Sequence, residues 1–346
     1  MIMNKINLFG KNEEELRLFC KSLNYPEFHG NQLYKWMYQK STVVFDNMSN
    51  LPKSLIEILN KKCNMHILEI EKLFKSNLDK TTKFLLKTND SKLIECVSMI
   101  DKNRHTICLS SQIGCSVDCS FCATGRMGII RNLNVGEIIQ QLIIINWEIK
   151  TPITNIVFMG MGEPFLNYTN VLKACYIINN TNGFNISSKK ITISTSGILP
   201  KIKKFIDDKI KFKLAVSLNA SSNAIRDKLI PINKKWPIES LINELKKYKF
   251  NKYRPIMFEY VLMENINDSE KDAKLLIEIL KSINCKINVI PYNSISKDYS
   301  RPEIEKIEKF AKILNESKYQ LKTLIRWSKG QDINAACGQL ATVNES

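Results

Sequence analysis

The chain contains no apolar run long enough to span a bilayer. The longest candidate, Leu142 to Ile149, is short and is broken by Asn146 and Glu148. No membrane partner is expected. The opening stretch, Met1 to Glu14, has no signal-peptide core and gains acidic residues early, so nothing points to export and a cytoplasmic location is expected. Histidine is scarce. His29, His66 and His105 are the only ones, and all precede residue 110, so the longer C-terminal part has no imidazole for acid–base work. No long-period repeat or low-complexity tract occurs, which argues against a solenoid. Arginine is sparse too, at 8 of 51 basic residues.

What is present is lysine and cysteine. The 346 residues carry a net charge of +17, with 44% hydrophobic and 25% charged residues. Such a chain has room for a sizeable core and for two domains, or for one barrel with an appendage. The positive balance favours polyanionic partners, RNA above all, through phosphate neutralisation. The abundance of Lys, Asn and Ile is also what an AT-rich genome produces. There are ten cysteines. In a reducing compartment they are more often ligands or catalytic groups than disulfides. Cys20, Cys63, Cys96, Cys175 and Cys285 sit in apolar surroundings and read as buried inert thiols. Cys108, Cys115, Cys119, Cys122 and Cys337 stand apart from these.

Apolar spacing predicts helices over Glu13–Leu23, Gln32–Tyr38 and Leu55–Lys62. Strands are expected over Lys72–Phe84 and Lys92–Met99, with a turn at Asn89-Asp90-Ser91. From about residue 105, short apolar strands alternate with amphipathic helices. Strands are expected at Thr106–Ser110, Asn155–Met159, Lys190–Ser194, Lys211–Ser217, Met257–Leu262, Lys286–Pro291 and Gln320–Arg326. Val135, Ile138, Ile139, Leu142 and Ile143 share one helical face. Ile304, Ile307, Phe310, Ala311 and Leu314 share another, after a Pro302 suited to a first turn. Repeated βα units imply a parallel sheet covered by helices, with functional residues in the loops after the strand C-terminal ends. The division expected is an accessory region over 1–95 and a partial or complete barrel over 96–346.

Cys115, Cys119 and Cys122 have Cys-x3-Cys-x2-Cys spacing on a loop closely following the first barrel strand. Three thiolates there are able to hold three irons of a [4Fe–4S] cluster and leave the fourth iron open. A structural zinc with a fourth ligand from elsewhere is the rival, although zinc sites more often come as two spaced pairs. Gly160-Met161-Gly162-Glu163-Pro164 follows the next strand. Its glycines allow close backbone approach, and Glu163 is able to accept hydrogen bonds from an ammonium. Ser194, Ser217-Leu218-Asn219 and Asn293 stand at later strand ends. There they serve either a ligand or ordinary capping and turn chemistry.

The cysteine spacing, with Phe121 before the last Cys, resembles the radical S-adenosylmethionine superfamily. Four blocks then look like the bacterial dual-specificity RNA adenine-C2 methyltransferases: Cys108 to Cys115, Met159 to Pro164, Arg226 to Asn233 and Asp332 to Leu340. The resemblance implies a partial (β/α)6 barrel with a mainly helical N-terminal accessory domain that contacts RNA. It implies one [4Fe–4S] cluster on Cys115, Cys119 and Cys122, and two S-adenosylmethionine molecules per turnover. Cofactor contacts are implied at Gly162, Glu163, Ser194, Ser217, Leu218, Asn219 and Asn293. Its substrates are an adenine in the peptidyl-transferase region of 23S rRNA and the adenine following the anticodon in tRNA. A flavodoxin- or ferredoxin-type electron donor and a monomeric enzyme are expected with it. By the same resemblance Cys337 takes a methyl group and becomes linked to the base. Glu95 accepts a proton, and Cys108 resolves the adduct, ending in a transient Cys108–Cys337 disulfide. One position departs from the family: Asn219 stands where a His is usual. Two alternatives stay open, a sister class that methylates adenine C8 and a non-catalytic RNA-binding protein with a structural metal.

Overall fold

The computed structural model describes residues 5–65, 68–248, 254–319 and 321–342. His66 and Gln320, the first residue of the last expected strand, lie outside the described residues.

The chain opens on β1 (Ile6–Asn7), followed by α1 (Glu13–Ser22), α2 (Phe28–Tyr34), α3 (Lys53–Lys62) and β2 (Cys63–Asn64), which pairs in parallel with β1. A capping box starts α1: Asn12 Oδ1 accepts from Glu15 N at 2.8 Å, and Glu15 Oε2 accepts from Asn12 N at 2.7 Å. The helix expected over Gln32–Tyr38 straddles the end of α2 and a π-turn at Lys35–Gln39. Helical character stops at Lys62.

Antiparallel strands β3 (Glu69–Lys75), β4 (Lys80–Lys87) and β5 (Leu93–Asp101) follow. The single strand expected over Lys72–Phe84 is broken at Ser76–Asp79. Ser76 Oγ accepts from Leu78 N at 3.1 Å and from Asp79 N at 3.2 Å, a local turn that outcompetes the extended pattern. The turn at Asn89-Asp90-Ser91 forms, with Ser91 at φ 57°. A division after residue 95 falls inside β5, and β5 runs on into the barrel sheet.

Next come β6 (Arg104–Cys108), a small hairpin of β7 (Gln112–Gly114) and β8 (Ile129–Asn132) enclosing α4 (Ala123–Arg126), and then α5 (Val135–Ile149) and β9 (Asn155–Phe158). The alternation continues with α6 (Tyr168–Asn179), β10 (Ile191–Thr195), α7 (Leu199–Asp207), β11 (Lys213–Ser217), α8 (Asn223–Leu229), α9 (Ile238–Leu245), β12 (Ile256–Leu262), α10 (Glu270–Leu280), β13 (Cys285–Pro291), α11 (Ile304–Asn315) and β14 (Lys322–Ile325). One ten-stranded sheet has the order β14-β13-β12-β11-β10-β9-β6-β5-β4-β3, parallel from β14 to β6 and antiparallel beyond. This is a partial α/β barrel whose open side is extended by three antiparallel strands.

The main core runs from Leu8 to Leu340, and a smaller buried cluster of Val117, Leu229, Ile230, Met263 and Tyr292 lies beside the cysteine loop. α5 is buried along most of its length, and loops of the N-terminal region lie against it at Gly10, Ser41 and Met65. Gln140 shows the join, with its Oε1 accepting from Leu68 N at 2.7 Å and its Nε2 donating to Met65 O at 2.7 Å. In α11 the expected face is buried except for Ile304, which is 55% exposed. Pro302 lies ahead of the N-cap Glu303 rather than in the first turn, so Ile304 opens the helix at its solvent end. The five scattered cysteines are all buried free thiols. No helix among the described residues is long and apolar enough to cross a membrane.

Candidate active site

The three-cysteine loop hangs from the β7–β8 hairpin. Gly114 makes the hairpin possible: it has φ +75°, and a Cβ there would lie 1.8 Å from Gly128 O. Cys115 N donates to that same carbonyl at 2.8 Å, and Cys122 N donates to Cys119 O at 3.1 Å just before α4. Cys115, Cys119 and Cys122 thereby line one open cavity of about 160 Å³ at the C-terminal ends of the barrel strands. Burial pushes the Cys115 thiol up to about 12, and Glu163, Cys122 and Asp118 add to the rise. Cys119 is driven well up by burial and by its two partner thiols, with Arg226 opposing. Burial raises Cys122 as well. Negative charge on these sulfurs therefore needs a cationic centre beside them. Three thiols on one loop, lining one cavity, are a donor set that fits an iron–sulfur cluster with one iron left open.

The opposite wall comes from strand ends. Gly162, at φ +94°, lets the turn after β9 pack onto β7, since a Cβ would meet Gln112 Cβ at 2.4 Å. The glycine thus serves close packing within the chain. Glu163 is buried and lines the cavity. Its Oε1 accepts from Phe165 N at 2.9 Å, and its Oε2 accepts from Ser196 N at 2.7 Å and Ser196 Oγ at 2.8 Å. Burial raises its pKa and those hydrogen bonds oppose the rise. A carboxylate has about four acceptor sites, and three are used internally. Ser194, Ser217 and Asn219 also line the cavity. Asn219 adopts φ 57°, a left-handed conformation that Asn tolerates better than most residues. Its Oδ1 accepts from Val261 N at 2.8 Å. Leu218 instead points into the core, fully buried. Asn293 stands outside the lining, where its Nδ2 donates to Cys337 O at 3.0 Å.

Behind these strand ends lies Arg226, buried and fixed by four acceptors. Nε donates to Leu218 O at 3.0 Å, Nη1 to Asn233 Oδ1 at 2.9 Å, and Nη2 to Ser196 O at 2.6 Å and Ser217 O at 3.1 Å. Burial lowers its pKa to about 10. The Arg226–Asn233 block is thus a clamp across the ends of β10 and β11.

Cys337 reaches the cavity on the C-terminal loop. Ala123 N, at the start of α4, donates to Gly338 O at 2.7 Å, and Thr124 Oγ1 donates to Leu340 O at 2.6 Å. Cys108, the last residue of β6, is buried, and its thiol is pushed up to about 12 by burial and by Cys337, against Arg326. Every cysteine is a free thiol, so the Cys108–Cys337 disulfide implied by the family resemblance is no standing feature of this fold. Glu95 lies outside the cavity lining, buried on β5, with Lys83 Nζ 3.0 Å from its Oε1.

Two functional candidates escaped the sequence reading. Arg326 lines the cavity with Cys337, and its pKa is raised first by Cys337 and then by Glu259 and Cys108. Glu259, buried in β12, accepts from Asn288 Nδ2 at 2.9 Å and stands 4.0 Å from Arg326. Each had a signal: an Arg in a chain that otherwise uses Lys, and a lone charge inside an apolar strand.

The chain has clear relatives. Residues 109–277 match the Radical SAM superfamily, and residues 6–65 match the ribosomal RNA large subunit methyltransferase N-terminal domain. The chain is 41% identical over 351 residues to a probable dual-specificity RNA methyltransferase RlmN from Syntrophomonas wolfei, covering 98% of each. It is 41% identical over 349 residues to the dual-specificity RNA methyltransferase RlmN of Vesicomyosocius okutanii, covering 98% of this chain and 96% of that one. The crystal structure of a radical SAM methyltransferase from Sphaerobacter thermophilus superposes with a TM-score of 0.91 at 36% identity, over 97% of this chain and 99% of that one.

Proposed function

The chain belongs to the dual-specificity RNA methyltransferases of the radical SAM superfamily, and from that premise we propose that it methylates adenine C2 in 23S rRNA and in tRNA through Cys337. The observation that carries this reading is one cavity lined at once by Cys115, Cys119, Cys122, Glu163 and Cys337. Cys115, Cys119 and Cys122 hold a [4Fe–4S] cluster. Gly162, Glu163, Ser194, Ser217 and Asn219 shape the cofactor side of the cavity. When bound, the cluster and S-adenosylmethionine supply methyl transfer and a carbon radical. Adenine C2 lies between two ring nitrogens and is too electron-poor to attack a sulfonium methyl, which is why radical chemistry is required.

The chain's own residues do the rest. Cys337 carries the methyl group and bonds to the base through it. Arg326 places a positive charge beside Cys337 and Cys108. Asn293 and α4 hold the Cys337 loop over the cavity. Glu95 takes the C2 proton; the Cys108 sulfur then bonds to the Cys337 sulfur as the Cys337 S–C bond breaks, and the released carbon keeps that electron pair and takes up a proton to become the methyl group. The helical unit ending near residue 65 and the β3–β5 strands form the RNA-contacting side, and a flavodoxin- or ferredoxin-type protein delivers electrons to a monomeric, cytoplasmic enzyme.

The test is an asymmetry between two variants. Cys337→Ala should yield no methylated protein and no product. Cys108→Ala should accept methyl on Cys337, bond to RNA and stall, giving a denaturation-resistant band that RNase trims. Normal turnover by Cys108→Ala, or RNA trapped by Cys337→Ala, refutes the mechanism. Mass spectrometry of the product nucleoside separates C2 from C8.

A further inference from the structure

Lysine is almost never fully buried unless it is paired. Lys83 is 5% exposed, and its partner Glu95 is 2% exposed. The pair is set by sheet register. On β4 and β5, Leu85 faces Glu95 and Lys83 faces Val97, so Lys83 and Glu95 are diagonal neighbours on one face. Lys83 Nζ lies 3.0 Å from Glu95 Oε1 and 4.8 Å from the Phe74 ring. It also donates to Asn334 O at 3.5 Å. Asn334 belongs to the loop that carries Cys337.

That contact is one of four hydrogen bonds between the β3–β4 hairpin and the loop. Asp79 Oδ2 accepts from Gly330 N at 2.9 Å. Asp332 accepts from Ser76 Oγ at 2.7 Å and from Asn77 N at 2.8 Å. The hairpin therefore touches both the residue read as proton acceptor and the loop of the residue read as methyl carrier. A carboxylate buried without a cation takes up a proton. A carboxyl that is already protonated accepts nothing from C2.

We propose that Lys83 is the positioning residue of this reaction: its ammonium keeps buried Glu95 ionised and in place, and its contact with Asn334 holds that carboxylate in register with the Cys337 loop. The inference rests on the reading of Glu95 as proton acceptor. In that step the proton passes from C2 to a Glu95 carboxyl oxygen, and the C–H electron pair stays with the base. Lys83 touches neither the base nor the cofactor.

The experiment compares Lys83→Met, Lys83→Arg and Glu95→Gln in the full chain. In the unloaded protein, with 13C-labelled glutamate, infrared spectra of Lys83→Met should gain a protonated carboxyl band. Wild type and Lys83→Arg should lack it, and adding Glu95→Gln should abolish it. In the loaded enzyme, Lys83→Met should still methylate Cys337 but trap RNA as Glu95→Gln does, with turnover reduced by about 100-fold or more. Lys83→Arg should recover most of the turnover. Should Lys83→Met fail to fold, Lys83→Gln carries the same comparison. If Glu95→Gln turns over normally, the reading of Glu95 falls and the proposal falls with it. If Glu95→Gln traps RNA while Lys83→Met gains no band and releases product like wild type, the proposal alone falls. Loss of Cys337 methylation together with turnover, unrescued by Arg, would make Lys83 a purely structural residue and overturn the proposal.

Discussion

Replacing Arg226 by Lys keeps a positive charge and removes the fork. The guanidinium donates to Leu218 O, Ser196 O, Ser217 O and Asn233 Oδ1 from a fully buried position. A Lys ammonium is a point donor on a flexible stem and cannot span acceptors on both strand ends and on the segment after α8. At least two of the four acceptors then lose their partner. A buried acceptor left unpaired costs about 1–3 kcal/mol, and breaking a buried charged network costs about 3–5 kcal/mol. We expect Arg226→Lys to lose about 3–5 kcal/mol, a large share of the roughly 5–15 kcal/mol that holds a typical protein folded. Urea unfolding of the unloaded chain is the assay. With a slope of about 3 kcal/mol per molar, the midpoint should fall by roughly 1–1.7 M at constant slope. Because Ser196 anchors Glu163 and Ser217 lines the cavity, S-adenosylmethionine affinity should fall in the same variant. A midpoint within 0.3 M of wild type, roughly 1 kcal/mol at that slope, would show that the four bonds contribute little and that the clamp argument is wrong.

Replacing any one of Cys115, Cys119 and Cys122 by Ala should abolish cluster assembly, read as iron and sulfide content after anaerobic reconstitution; a triple-Ala variant that still binds four irons would refute the assignment. Glu259→Gln should gain stability relative to wild type as pH rises. Burial raises the folded-state pKa of Glu259, so its contribution is present below the ordinary carboxylate range and is lost as pH rises through the raised value, with Arg326 opposing. A shift in thermal midpoint that is the same at pH 4 and pH 8 would sink this. RNA affinity should fall steeply with salt, and replacing the exposed Lys61, Lys62, Lys72 and Lys75 by Gln should lower the log–log slope by about 3–4 if each contacts a phosphate. An unchanged slope would move the RNA surface elsewhere.

The parallel strands were legible because each is a short apolar run followed by a helical pattern. All seven expected from Thr106 onward have a counterpart that starts and ends within a few residues, the last one beginning beside Gln320. What escaped were features decided by one side chain or by distant pairing. The break within Lys72–Phe84 depends on a single hydroxyl, Ser76 Oγ, taking two backbone donors. The continuity of β3–β5 with the barrel depends on β5 pairing with β6, and the Asp101–Arg104 register of that hairpin carries no apolar signature. The hydrogen-bonded ladder runs through residue 95.

The site divides along the same line. The three cysteines are local in sequence, so their spacing pointed to them, and the Gly-Glu-Pro turn, an ordinary βα turn by itself, gained meaning from its place after them. Lys83, Glu259 and Arg326 are not local. Each becomes a candidate only when strands far apart in the chain bring it to a buried partner. The loop bearing Cys337 shows why such pairs matter. It is held at one side by the β3–β4 hairpin through Asp79, Ser76, Asn77 and Lys83, and at the other by α4 and Asn293. The helix that follows Cys122 is thus the same helix that fixes Gly338, next to Cys337. Loss of the cluster should therefore loosen the methyl-carrying loop as well as the cysteine loop. Backbone exchange at Ala123, whose amide donates to Gly338 O, should quicken on removal of iron, with the Gly330 amide protected by its bond to Asp79. If exchange quickens equally at both ends, the hairpin is no independent anchor. If it quickens at neither, α4 does not couple the two loops.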